Sequence, residues 1–140
     1  YNLNSFFINK INAKKYIIKL SILLDNLDEE SFLVLKNTLK TQNIDNEVRI
    51  LISPKVIEEF TIELWDEILN TNSNKIFLKI SQEPLDYSFL AINSNMWVMN
   101  GYFKSPKDSN LIFSLDSSSD GGKAFMRKFN ELWKKGKNTK

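Results

Sequence analysis

Apolar residues along this chain change their spacing several times, and each change marks the edge of an element. Over residues 2 to 14, Phe6, Phe7, Ile8 and Ile11 fall on one side of a short helix. "YIIKLSILLD" (Tyr16 to Asp25) is instead β-branched, almost unbroken in apolar character and of strand length, the pattern of a buried strand. The helical period returns in "NLDEESFLVLKNTLKTQ". There Asp28 is placed to cap, Glu29 and Glu30 suit the positive end of the dipole, and Phe32, Leu35 and Leu39 form one stripe. "EVRILIS" (Glu47 to Ser53) is a second buried-strand pattern.

Pro54 opens the next helix at its first turn, where the missing N–H costs nothing. Ile57, Phe60, Leu64, Trp65 and Ile68 carry that helix forward until Asn70 to Asn74 end it. "KIFLKI" (Lys75 to Ile80) is a third strand. "EPLDYSFLAINSNMWVMNGY" (Glu83 to Tyr102) holds two more, near 87–92 and 96–101, around the turn Asn93-Ser94-Asn95. "NLIFSL" (Asn110 to Leu115) follows. A closing helix starts in "DSSSDGG" and runs to about Lys135, with Phe125, Phe129, Leu132 and Trp133 as its apolar stripe and Gly136 as its C-cap. Early strand–helix alternation predicts parallel strands covered by helices, and the later run of short strands predicts antiparallel additions. The expected fold is α/β, a mixed sheet flanked by helices, in one domain over residues 1–136 with a lysine-rich tail at 137–140. The opening Tyr1, in place of Met, reads as the start of a domain cut from a longer protein.

Composition narrows the chemistry. The 140 residues, 42% hydrophobic, are enough for one core of ordinary size. A net charge of +2 fits neither a disordered polyelectrolyte nor a strongly basic nucleic-acid binder. The absence of cysteine removes disulfides, thiolate metal sites and Cys nucleophiles, and fits a cytoplasmic protein. The absence of histidine removes His bases, the usual zinc ligands and any phosphohistidine. No apolar run approaches the ~18 residues that span a bilayer, and no signal peptide opens the chain, so no membrane association is expected. No glycine-rich phosphate loop or nucleophile elbow is present, and no cofactor is expected.

Four features carry weaker signals. Glu58, Glu59, Glu63 and Asp66 share a helix, but their alternation with apolar positions is that of a solvated face. In "DSSSDGG", Ser118, Ser119, Gly121 and Gly122 form a candidate anion site at a helix start. Asp116 and Asp120 would repel an anion, which favours a plain Ser or Asp cap. The aromatics Phe6, Phe7, Trp65, Phe77, Trp97, Phe125, Phe129 and Trp133 sit mostly on apolar stripes and are expected in the core. Lys123, Arg127, Lys128, Lys134 and Lys135 give the last helix a basic face, read first as solubilising and second as a nucleic-acid contact.

The strand–helix–strand–helix lead, the central "VRILIS", the two-strand turn with Trp97 near Gly101, and the final "FNELW" together resemble one half of a phospholipase D-like fold. That family carries H-x-K-x-x-x-x-D followed by a Gly-Ser-x-Asn-like stretch. By this resemblance its His falls on Tyr87, its Lys on Phe89 and its Asp on Ser94. Its Gly matches Gly101, while Tyr102 and Lys104 hold the Ser and Asn positions. The family's chemistry needs a His nucleophile and a phosphate-holding Lys, so the resemblance implies a non-catalytic member whose degenerate-motif surface is a ligand or interface site. Non-catalytic halves of this kind resemble the regulatory region of TrmB-type archaeal transcription regulators. A related form closes MIT-containing proteins and binds peptides. The expectation is therefore an effector or dimerisation domain that self-associates or binds a protein partner, with any DNA contact made through a missing N-terminal domain. The alternatives are a peptide- or partner-binding module, or a metal-dependent phosphodiesterase or nuclease using Asp25, Asp86, Asp116 and Asp120 at strand ends.

Overall fold

Three apolar runs of five residues make the parallel centre of the sheet. The computed structural model describes residues 3–70, 75–100 and 112–139. In it Leu20–Leu24 (β1), Val48–Ile52 (β2) and Ile76–Ile80 (β3) lie side by side in parallel, with Ile22 opposite Ile50 and Ile50 opposite Leu78. Parallel neighbours need crossovers. These are Glu29–Thr41 (α2) between the first two strands, and Pro54–Glu59 (α3) with Ile62–Leu69 (α4) between the second and third. Leu3–Asn12 (α1) packs beside α2.

The antiparallel additions are Tyr87–Ile92 (β4), Asn95–Asn100 (β5) and Ile112–Asp116 (β6). The chain closes with Asp120–Lys135 (α5) and Lys137–Asn138 (β7). The sheet order is β6-β5-β4-β1-β2-β3-β7, a mixed sheet of seven strands. β7 pairs with Lys79 and Ile80, so the lysine-rich end read from the sequence as a charged tail supplies an edge strand instead.

Strand side chains alternate between two cores. Ile22, Ile50, Leu78, Leu90 and Trp97 face one core, which α1 to α4 cover with Phe7, Leu35, Trp65 and Ile68. Leu23, Leu51, Phe89, Met96 and Val98 face the other, which α5 covers through Phe129 and Leu132. This two-sided burial explains why β1 and β2 read as nearly continuous apolar runs, each with one buried polar residue, Ser21 and Arg49.

Four local expectations change. Tyr16 and Ile18 are half exposed and only Ile17 makes a bridge, to Ile44, so β1 begins at Leu20. The long helix from Pro54 breaks at Phe60 and Thr61, both in extended backbone, and Thr61 starts α4 anew. The turn between β4 and β5 uses two residues, not three, with Asn93 in the left-handed region at φ 54°. Asn is among the few side chains that settle there, and Asn93 Oδ1 accepts from the Ile18 N–H at 2.8 Å, tying the turn to the lead into β1. Phe77, on β3, is 44% exposed, so this aromatic is not a core residue.

The two glycines that open α5 do different work. A Cβ on Gly122 would stand 2.1 Å from the Asp116 carbonyl oxygen, whereas one on Gly121 would meet only the Leu115 side chain at 3.6 Å. Gly121→Ala should therefore stabilise the helix, by up to about 1 kcal/mol. Gly122→Ala should destabilise the protein instead, because a backbone oxygen cannot move aside cheaply. Urea unfolding of the two variants checks the opposite signs.

Candidate functional site

Tyr87 and Phe89 sit where β4 begins, on the face covered by α5. Phe89 is fully buried and stacks on Phe129, ring centroids 5.6 Å apart, and Tyr87 is half buried with its ring edge toward Phe125 at 5.9 Å. The Tyr87 phenol is pushed up to about 12, first by burial and then by the charges of Asp86 and Glu83, so it stays neutral at ordinary pH. Phe89 therefore belongs to a core and not to a surface, which corrects the expectation of one continuous motif surface.

Ser94 stands at the far end of the same hairpin, seven residues on from Tyr87, beyond the six residues of β4, which alone run roughly 20 Å at ~3.3 Å per residue. Its carbonyl accepts from the Ser117 N–H at 2.9 Å, so it neighbours the lead into α5. Gly101, Tyr102 and Lys104 lie outside the described residues. Sequence spacing alone could not reveal that the positions of one linear motif end up on opposite ends of a hairpin.

The lead into α5 brings Ser118, Ser119, Gly121 and Gly122 together as a cap. Ser119 Oγ accepts from the Gly122 N–H at 3.0 Å and donates to the Asp116 carbonyl at 2.6 Å. Asp116 accepts from both the Ser118 hydroxyl, at 2.5 Å, and its N–H, at 2.8 Å. Those two bonds hold the Asp116 carboxyl below its ordinary value, the hydroxyl contributing first. The donors an anion would use are engaged internally, in the manner of an N-cap.

At the other end of the sheet is a polar cluster that sequence reasoning missed. Asp25, Ser53 and Ser81 directly follow the carboxyl ends of the three parallel strands, Ser88 faces them from β4, and all four are buried. Ser88 Oγ donates to Asp25 Oδ1 at 2.7 Å, and Asn26 donates to the same oxygen at 2.7 Å. Ser53 Oγ donates to the Asp25 carbonyl at 2.8 Å, and Ser81 Oγ to the Glu83 carbonyl at 2.7 Å. The available signal was a small hydroxyl residue after each of two apolar runs. The four candidate carboxylates do not converge: Asp25 and Asp86 lie at this end, Asp116 pairs with Asn95 at the other, and Asp120 starts α5 there.

Arg49 is the unexpected charge. It is 9% exposed on β2 beneath α5, with its guanidinium 5.0 Å from the Phe129 ring centre and 5.7 Å from that of Trp133. It donates to Asn130 at 3.0 Å and Ser21 at 3.3 Å, and Glu47 stands 3.8 Å from Nε. Burial lowers its pKa, and Glu47 opposes that shift. Lys79 lies 4.9 Å over Trp133 and donates to the Trp133 carbonyl at 2.9 Å, where the helix dipole is negative. Of the basic positions on α5, Lys123, Arg127, Lys128, Lys134 and Lys135 are all exposed, and Lys128 stands 3.5 Å from Glu83.

No family model and no curated protein matches the chain. Two solved structures share its architecture. Nuc, a phospholipase D family member from Salmonella typhimurium, superposes with a TM-score of 0.65 and 14% identity over 97% of this chain and 90% of its own. TrmBL2, an archaeal chromatin protein whose structure shows a novel mode of DNA binding, gives a TM-score of 0.65 and 12% identity over 97% of this chain. The chain spans half the length of that second protein. At such identities the likeness is one of fold, and the fold is phospholipase D-like α/β. Among the described residues, no helix is long and apolar enough to cross a membrane.

The raised Tyr87 pKa links to stability with a definite sign. A phenol that ionises near 10 unfolded and about 12 folded favours the fold below pH 10, and that contribution disappears as pH rises through 12. Stability should fall between those values in the native protein and fall less in Tyr87→Phe, measured by urea unfolding across the alkaline range.

Proposed function

We propose that this chain is a non-catalytic phospholipase D-like domain with a regulatory or interaction role, serving as the effector or dimerisation part of a transcription regulator. The carrying observation is the packing of Tyr87 and Phe89 beneath α5. At the positions where the resembling enzymes place a nucleophile and a phosphate-holding cation, this chain has side chains that hold a helix. Phe89 offers no lone pair or charge, and a neutral Tyr87 phenol is a poor nucleophile at ordinary pH. The likeness to an archaeal chromatin protein supports the regulatory side of the reading, and the likeness to a phospholipase D family member supports the ancestry of the fold. Nucleic-acid contact, in this reading, belongs to another part of the parent protein.

The purified chain should show no turnover of a generic phosphodiester or of DNA with Mg²⁺ or Mn²⁺. Turnover that disappears in Asp86→Ala would contradict the reading. Sedimentation velocity over a concentration series should show reversible self-association. A strict monomer at high concentration, with no thermal shift from a metabolite pool, would count against the dimerisation role.

A further inference from the structure

The break at Phe60 and Thr61 has a result on the outer side of the helical layer. Phe60 turns inward there and stacks on Phe32, ring centroids 4.7 Å apart and planes within 11°, while Trp65 meets Phe32 edge-on at 5.1 Å. Phe32 and Phe60 floor a groove of about 410 Å³ between α2 and α4. Leu33 of α2 and Leu64 of α4 form its walls, and they stay 55% and 41% exposed. Two exposed leucines flanking an aromatic floor are out of place on a solvated helical face, because apolar area of this kind favours removal from water.

The rim carries a charge pattern. Glu29 and Glu59 border the groove, and Lys36 is held by Glu67 in an ion pair across it. Residues around it add Glu58, Glu63 and Asp66, against Lys55 alone in the α3–α4 segment. The net +2 of the chain hides this segregation, since the acidic excess of residues 54–69 is offset by Lys10, Lys14, Lys15 and Lys19 near the start of the chain and by the basic residues of α5 beyond the sheet. Glu63 is exposed, and its carboxyl is held below its ordinary value by its own N–H and then by the Thr61 hydroxyl, which keeps it charged.

We propose that this groove docks an amphipathic helix from a partner protein, with apolar residues on one stripe and Lys or Arg flanking them. The groove is lined by Glu29, Phe32, Leu33 and Lys36 of α2, by Leu64 and Glu67 of α4, and by Glu59 and Phe60 at the break before it; an occupant helix would meet it with apolar anchors at its own i, i+3/i+4 and i+7 positions. Charge complementarity chooses a basic occupant. A second copy of this chain fits less well, because the basic helix α5 spends its apolar stripe on Phe89 and its neighbours and has none facing outward. The groove lies on the opposite side of the sheet from Tyr87 and Phe89, so this proposal stands whether or not the chain is catalytic.

The test uses fluorescence anisotropy with two labelled helical peptides of equal leucine content, one flanked by lysines and one by glutamates. The lysine peptide should bind and the glutamate peptide should not. Leu64→Ala, an exposed change that leaves the fold intact, should weaken binding about tenfold, within the usual range for an interface anchor. Glu59→Lys should weaken the lysine peptide and lower the salt concentration needed to dissociate it. Glu131→Lys on α5 should change neither. Equal binding of both peptides, or binding indifferent to Leu64→Ala and Glu59→Lys, would overturn the proposal. Self-association of the chain that is abolished by Leu64→Ala would also overturn it, assigning the groove to a second copy.

Discussion

Phe129 of α5 is wedged between Phe89 of β4 and the guanidinium of Arg49 on β2. Among the described residues the second face of the sheet has no other helical cover, so this contact decides whether six apolar strand residues stay dry. Ring stacking, edge-on packing of Tyr87 on Phe125, and two cations over the rings of Phe129 and Trp133 all hold one helix in one register. The Ser119 cap and the close approach of Gly122 to the Asp116 carbonyl fix where that helix begins. β7 then takes the chain back to the β3 edge. Everything at the carboxyl end of the protein is organised to deliver that stripe to that face.

Sequence reading recovered the elements well where a single physical signal dominated. Asp28 caps α2 as expected, with its side chain accepting from the Ser31 N–H at 2.7 Å, and Phe32, Leu35 and Leu39 are buried as their spacing predicts. Mostly apolar runs became the parallel strands because helices cover both faces of the sheet. It failed where tertiary packing overrode spacing. Leu64 has helical periodicity with Phe60, yet the helix breaks between them and leaves Leu64 in solvent. Arg49 interrupts an apolar strand and is still buried, because rings, Ser21 and Asn130 on distant segments accommodate it.

The candidate site was legible as a set of letters but not as a place. Spacing found Tyr87, Phe89 and Ser94 in the motif frame, yet the hairpin sends Ser94 to the end of the sheet where α5 begins and leaves Tyr87 at the end where Ser53 and Ser88 bond to Asp25 and Ser81 bonds to Glu83. That polar cluster left only a faint linear trace, a serine after each of two apolar runs, since its members come from the ends of four strands. A motif read along a chain assumes that its residues act together. Here one of them supports a core, one neighbours a cap, and one stays neutral beside it.

The claim at the centre of this account is that motif positions have become the seat of α5. A double-mutant cycle between Phe89→Ala and Phe129→Ala, followed by urea unfolding, measures that seat directly. The account predicts a coupling energy of about 1 kcal/mol between the two rings, beyond the cost each substitution has alone. Additive costs, within about 0.3–0.5 kcal/mol, would show that β4 and α5 are held independently and would contradict it.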